Sequence, residues 1–460
     1  MRAACITGAA LLLAGCATPS LDQAAAGVAR TVEARTGAAP VLARPGDPAL
    51  GAATDTLLAA PLTMDAALRV ALLNHAGLQA TFREVGVAQA DLAQAARLRN
   101  PSFGFARLSG GGERELERAV GIDLAGLLTM PLRRRMEARR FESVQLEVAA
   151  AIEAHTLGVR SAWIEAVAAR QSLAYARQVA ASAEASAQLM GRMVKAGNAS
   201  SLDLAREQAA YAEASAGVLR AARSVDALRE KLTRLLGLWG RQAGYTLPER
   251  LPDLPAAPRE PAQVEQSAVT HRLDVQAARL AARHTAADLG LTRRTRLVNV
   301  LEIGWQDKRE SGASHRSDGY EVSLELPLFD WGGARVARAE SVYMQALYRV
   351  TEAAVAARSE AREHYLGYRA SYDLARHYHI EVIPLRKRIA DETLLRYNGM
   401  LASPFALLAD AREQAQAVSS YIDALKEFWL ADAALDGALG GRLNGDNNAQ
   451  ATDTEHKDHP

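Results

Sequence analysis

The chain has 460 residues, a formal net charge of +1 and 5% aromatic residues. The balanced charge carries no nucleic-acid footprint, and abundant alanine with few aromatics fits closely packed long helices better than one large globular centre. Length alone allows roughly two to four domains, and the two cysteines, Cys5 and Cys16, leave no framework of disulfides.

The chain opens with Met1-Arg2 and an apolar run from Ala3 to Leu13. The run is too short to span a bilayer as a stable helix and reads as a signal peptide over residues 1–15. Leu13-Ala14-Gly15-Cys16 resembles a bacterial lipobox. The resemblance implies cleavage before Cys16 and lipid attachment to its sulfur. Ala17 then stands where an inner-membrane retention signal often has Asp, which favours the outer membrane. Residues 16–61, rich in Ala, Gly and Pro with little periodicity, read as an extended, lipid-anchored tether.

Thr63 is the expected N-cap of a first helix running to about Arg97, which must stop before Asn100-Pro101. Two strands follow. One lies at about 102–108, alternating on Phe103 and Phe105, and the other at about 119–124, on Val120, Ile122 and Leu124. A helix over about 132–195 carries Val144, Val148, Ile152, Val159, Trp163 and Val167. A turn at Gly197 leads to a second helix with a seven-residue stripe of Leu204, Tyr211, Val218, Val225 and Leu232.

Prolines 248, 252, 255, 258 and 261 make residues 248–261 a stiff linker, and then the pattern starts again. Val298, Val300 and Ile303 mark one strand. Tyr320, Val322, Leu324, Leu326 and Leu328 mark the next, beyond a charged loop at about 307–319. A long helix over about 334–398 should be kinked at Pro384. After Gly399 the last helix carries Leu407, Gln414, Tyr421, Phe428 and Leu435. The wording recurs too: Ala205-Arg206-Glu207-Gln208 in one half, Ala411-Arg412-Glu413-Gln414 in the other. The domain reading is a first repeat at 62–247, the linker at 248–261, a second repeat at 262–440 and a polar, disordered tail at 441–460.

The fold class is therefore mainly α with a small β part: a duplicated unit of long coiled-coil helices with four strand candidates per chain. Beyond the signal no apolar run is long enough for a transmembrane helix, so a membrane crossing would need a closed barrel of strands. Four strands cannot close alone, so a barrel would be shared between copies. Alternation also fits a small soluble antiparallel sheet.

At this point the residues resemble a family. The junction Val322-Ser323-Leu324-Glu325-Leu326-Pro327-Leu328-Phe329-Asp330-Trp331-Gly332-Gly333 is similar to the second-repeat signature of TolC-like outer-membrane factors. Leu62-Thr63-Met64-Asp65-Ala66-Ala67-Leu68 resembles the family's first-helix entry, and Arg99-Asn100-Pro101-Ser102 its entry into the first strand. The turns Gly197-Asn198-Ala199-Ser200-Ser201 and Gly399-Met400-Leu401-Ala402-Ser403 resemble its periplasmic hairpin ends. The resemblance spans residues 62–440. It implies a homotrimer with a twelve-stranded outer-membrane barrel and a helical periplasmic tunnel. It also implies the exit duct of a tripartite efflux system, joined through a periplasmic adaptor to an inner-membrane pump of the resistance–nodulation–division class. Tyr397-Asn398-Gly399-Met400 and Leu408-Ala409-Asp410-Ala411-Arg412 look closest to the heavy-metal-exporting branch.

The family gates its tunnel with a ring of acidic side chains, which implies Asp410 here, with Asp203 comparably placed after the first tip. Ala406 stands where the family often has another Asp, so a two-ring gate is in doubt. Each Asp also reads as a helix-start residue favoured by the macrodipole. The tips at Gly197, Ser201, Gly399 and Ser403 would meet the adaptor, with both glycines allowing the tight turn.

Arg133, Arg134, Arg135, Arg139 and Arg140 would meet lipid headgroups, line the tunnel mouth or form a solvated helix face. His377, His379 and Glu381 make a poor metal site. No nucleophile, phosphate loop or paired-carboxylate pattern points to an enzyme, and no cofactor is implied. Two other readings stay open: a duct for drug efflux or type I secretion, and a non-pore periplasmic coiled-coil scaffold lipoprotein.

Overall fold

The computed structural model describes residues 21–42, 47–110, 113–297, 300–310, 316–325 and 327–441. The segment expected as a signal peptide, Cys16, Val298, Leu326 and the residues beyond Gly441 lie outside the described residues. In chain order the elements are α1 (Leu21–Thr36), α2 (Pro48–Leu58), α3 (Met64–Asn74), α4 (Ala76–Ala95), β1 (Ser102–Gly110), β2 (Glu113–Asp123), α5 (Leu124–Lys195) and α6 (Ser201–Leu236). The second half gives α7 (Val264–His271), α8 (Leu273–Thr295), β3 (Leu301–Glu310), β4 (Arg316–Leu324), α9 (Gly333–His377), α10 (Ile383–Asn398) and α11 (Pro404–Ala438). They form two compact units. One holds the described part of Met1–Val28 with Thr81–Ala150 and Leu273–Val355. The other holds Ala29–Ala80, Ala151–Arg272 and Ala356–Pro460 as far as it is described.

The expected extended tether is instead partly helical. In α1 the buried Ala24, Ala25, Val28 and Val32 recur at helical spacing. α2 begins with Asp47, whose carboxylate accepts from Ala49 N at 3.0 Å, followed by Pro48 at the first helical position. The buried Thr54 of α2 accepts from Asn74 Nδ2 of α3 at 2.6 Å.

Thr63 caps α3 as expected, accepting from Ala66 N at 3.2 Å. The single helix expected to reach Arg97 is, however, broken at His75, which has an extended ψ of 108°. The other half breaks in the same place, at Arg272 with ψ of 131°. Each break faces a glycine that ends its repeat. Gly237 (φ +69°) lies against His75 and Asn74, and Gly440 (φ +83°) against His271 and Arg272. A Cβ there would stand 2.8 Å from backbone in both cases.

Two further boundaries differ from expectation. α5 starts at Leu124, not near 132, and contains Pro131. Asp123 caps it, accepting from Gly126 N at 2.6 Å, while Arg133 and Thr129 donate to carbonyls of the first turn. These bonds hold the turn that the missing proline N–H would weaken. The kink expected at Pro384 appears one turn earlier as a wide five-residue turn, Tyr378–Val382, where Ile383 N reaches back to Tyr378 O. Widening the turn makes room for a ring that would clash with the preceding carbonyl.

The core of the second unit gathers many of the scarce aromatics. Phe428 of α11 packs against Tyr368 and Tyr372 of α9 with ring centroids 5.5 and 5.7 Å away. Trp163 of α5 donates to Leu62 O at 2.7 Å. The stretch 248–261 has neither helix nor strand, and the aromatics serve its carbonyls. Tyr372 Oη donates to Pro255 O and Ala256 O at 3.1 and 3.0 Å, and Trp429 Nε1 to Pro252 O at 3.0 Å. Prolines exclude a ladder here, so side chains supply these carbonyls with donors.

His75, at the first break, lies against His155 of α5 with ring centroids 4.1 Å apart. Burial, and then the neighbouring ring, lowers the pKa of His75; burial lowers that of His155 against the opposing pull of Leu235 O. A depressed histidine contributes stability above its unfolded pKa, and that contribution falls as pH drops below it. The melting temperature should therefore fall between about pH 7 and about pH 5, and less steeply in His155→Gln. Parallel profiles for the two proteins would reject this role.

Candidate functional site

The site has two parts, each inside one unit. The first is the sheet. Its strands run in the order β1-β2-β3-β4, all antiparallel, so the hairpins of the two repeats join through β2 and β3. Residues paired across strands share a face. One face carries Leu301 and Leu324, then Ile122, Ile303 and Val322, then Phe103, Val120, Trp305 and Tyr320. The other carries Ser102, Gly121, Gly304 and Glu321, then Gly104, Ala119, Gln306 and Gly319. The large apolar side chains are exposed; Tyr320 is 89% and Phe103 70% accessible. A soluble sheet buries its apolar face, whereas this one leaves it bare.

The hairpins reach further than the sequence indicated. β2 begins at Glu113, and β3 and β4 take up most of the charged segment expected as a loop at 307–319. Opposite charges face each other there: Lys308 meets Glu115 directly and Glu117 at 3.8 Å. Such pairs extend a ladder that propensity alone would end. Conversely, β4 ends at Leu324, three residues before Pro327, so Leu328 is not in the strand. Leu328, Phe329 and Trp331 are exposed at this junction.

The second part is the pair of tip turns in the other unit. After α5, Gly197 (φ +77°) closes the helix. Its N–H bonds Val194 O at 3.0 Å, and Asn198 N bonds Met193 O at 2.9 Å. The second tip has the same bonds one residue later: Met400 N to Tyr397 O at 3.0 Å and Leu401 N to Arg396 O at 2.8 Å. Gly399 therefore does not supply the left-handed residue, as expected for it; its φ is −80°, and Met400 takes φ +60°. Met400 and Leu401 are 94% and 83% exposed. The bonding pattern is that of a helix C-terminal motif that normally favours glycine, so Met400 holds a conformation unfavourable for its side chain.

The helices leaving the tips are capped. Ser200 caps α6. It receives Asp203 N at 3.1 Å, and the Asp203 carboxylate accepts from Ser200 N and Oγ at 3.2 and 2.6 Å. These bonds, the side-chain one first, hold the Asp203 carboxyl below the usual range. Asp203 thus closes a reciprocal capping box. Ser403 caps α11 through Ala406 N at 3.2 Å. Asp410, a little further along α11, is half-buried and accepts from Thr393 Oγ1 of α10 at 2.5 Å. Beside it, Arg412 Nη2 donates to both oxygens of the buried Glu207 on α6, at 2.6 and 2.5 Å. Thr393 and this cross-repeat pair were not singled out in the sequence. The recurring Ala-Arg-Glu-Gln was the available signal for the pair, and none marked Thr393.

Three of the five basic residues near Pro131 are engaged within the protein. Arg133 donates to Gly126 O, Arg139 to Arg283 O at 3.3 Å, and Arg140 lies 3.5 Å from Asp91 and Glu137. His377 meets Glu381 at 3.2 Å while His379 stacks on Tyr421, so the three do not converge. Among the described residues no group of three or more His, Cys, Asp or Glu could hold a metal ion.

No family model matches the chain. No curated protein matches it either. Solved structures do. A membrane protein from Pseudomonas aeruginosa is 20% identical, with a TM-score of 0.71 over 83% of this chain and 91% of its own. The transmembrane channel protein CusC is 16% identical, with a TM-score of 0.69 over 83% and 93%. The outer membrane protein VceC from Vibrio cholerae is also 16% identical, with a TM-score of 0.69 over 82% and 96%. At such identities the likeness is one of fold.

Proposed function

We propose that this chain, which has the fold of the TolC-like outer-membrane channels, is the exit duct of a tripartite efflux system. Three copies would share one outer-membrane barrel, each contributing four strands. The observation that carries the reading is the two-faced sheet. Its exposed aromatic and aliphatic rows suit lipid, and its glycine, serine, glutamine and glutamate rows suit a water-filled interior. β1 and β4 are its outer strands, and open edges are not tolerated in lipid, so further copies must complete it.

The duct is a passive, non-enzymatic conduit, driven by an inner-membrane pump and coupled through a periplasmic adaptor. Exposed Met400 and Leu401 make the second tip the stronger candidate for adaptor contact, alongside Gly197, Ser201, Gly399 and Ser403. Asp203 is accounted for by its capping box, which leaves Asp410 as the gate carboxylate, repeated in each copy. Lipid on Cys16 would anchor the chain in the outer membrane. Metal ions are the proposed cargo, on the resemblance around Tyr397-Asn398-Gly399-Met400. A non-pore scaffold has no use for bare apolar rows on a sheet.

Fluorophores on Val322→Cys and Glu321→Cys in reconstituted protein test the wall directly. Nitroxide-labelled lipids should quench the probe at position 322 strongly and the one at 321 weakly. Equal quenching, or the reverse order, would contradict a membrane-spanning wall.

A further inference from the structure

Each half of the chain carries the same four residues shortly after its tip: Ala205-Arg206-Glu207-Gln208 on α6 and Ala411-Arg412-Glu413-Gln414 on α11. A repeated Arg-Glu step offers two cross-pairs between the repeats, and the chain makes one of them. Arg412 of the second half grips Glu207 of the first, whose side chain is only 6% exposed. The other cross-pair joins Arg206 to Glu413 and is absent from the described contacts. Arg206 is 69% exposed and lies 3.7 Å from Asp203. Glu413 is 59% exposed and holds Arg386 of its own hairpin at 2.9 Å. The two halves thus use the same residues, but the acid is covered in one and open to solvent in the other.

A head-to-tail ring removes this asymmetry. If first and second halves alternate around a ring, every second half has a first half on one side from its own chain and on the other from the next copy. A contact made within the chain by Arg412 and Glu207 then recurs between chains with the roles moved along one half. We infer that Arg206 of one copy pairs with Glu413 of the neighbouring copy, so the surface around these two residues is the contact for a second copy of this chain. The inference rests on the ring reading proposed above and adds the residues that set its register. Opposite charges across the contact reject a neighbour shifted along the helices, since a displaced α6 would leave both charges unmatched.

The full-length protein, purified from membranes, carries the test. Arg206→Cys with Glu413→Cys is treated with a short bis-maleimide, with wild-type protein and each single variant as controls for Cys16. Glu207→Cys with Arg412→Cys is run beside it, and native mass in detergent is measured for each. Covalent species of two and three chains from the 206/413 pair, with only internally linked monomer from the 207/412 pair, is the expected result. A three-copy mass without linked chains from the 206/413 pair would overturn the inference and leave the ring standing. A one-copy mass would overturn the ring and the inference together. A charge swap gives an independent readout. R206E should lower the temperature at which the assembled protein dissociates in detergent, and R206E/E413R should restore it. Loss without restoration would overturn the pairing.

Discussion

Asp436→Ala should lower the stability of the chain by about 3–5 kcal/mol, a large effect for a single side chain. The Asp436 side chain is 6% exposed near the end of α11 and lies between two guanidinium groups. Arg160 of α5 donates to Oδ2 at 2.8 Å and Arg259, from the proline-rich stretch, to Oδ1 at 2.7 Å. Arg259 also reaches Asp432 at 2.5 Å, and its backbone N–H donates to Tyr368 Oη at 2.8 Å. One cluster thus binds the first repeat, the linker and the second repeat. Burial alone would push the Asp436 carboxyl up; the two arginines together hold it below the usual range. Burial wins at Asp432, whose carboxyl is raised. Removing Asp436 leaves Arg160 and half of Arg259 buried without their main counter-charge, the costly way to break such a pair. Asp432→Ala removes one contact of Arg259 and should lower the melting temperature less. Equal shifts for the two variants, or none for Asp436→Ala, would show that the cluster does not join the halves.

Gly440→Ala should destabilise by about 2–5 kcal/mol, from roughly 1–2 for a left-handed non-glycine residue and roughly 1–3 for displaced neighbours. The added Cβ would stand 2.8 Å from His271 C and 2.9 Å from Arg272 N, and backbone cannot swing aside as a side chain can. Gly237→Ala meets the first helix break in the same way and should behave alike. Gly197→Ala is the control. Its φ is +77°, but nothing lies within 4 Å of the new Cβ, so only the conformational part applies. A melting temperature for Gly440→Ala no lower than for Gly197→Ala would mean the repeats do not close on these glycines.

These glycines also show where sequence reading stopped. The duplication, the strands, the N-cap at Thr63 and the two hairpin tips follow from periodicity and local capping, which act over a few residues. The breaks at His75 and Arg272 do not, because each is set by a glycine more than 160 residues away in sequence. The tether failed for a different reason. Prolines count against helix, but Pro48 starts α2 behind the Asp47 cap, and Pro40 and Pro61 fall outside the helices. At the tips the glycine was legible and its role was not. Gly399 and Met400 are adjacent, and the hydrogen-bond register decides which takes the positive φ. The Asp436 cluster spans 276 residues between Arg160 and its partner, with no local mark.

The most direct test is single-channel conductance of the purified full-length protein in a planar bilayer. Discrete, uniform steps are predicted, larger in Asp410→Ala if the proposed carboxylate ring narrows the bore. Folded protein that inserts and conducts nothing at any voltage, in both forms, would contradict the duct.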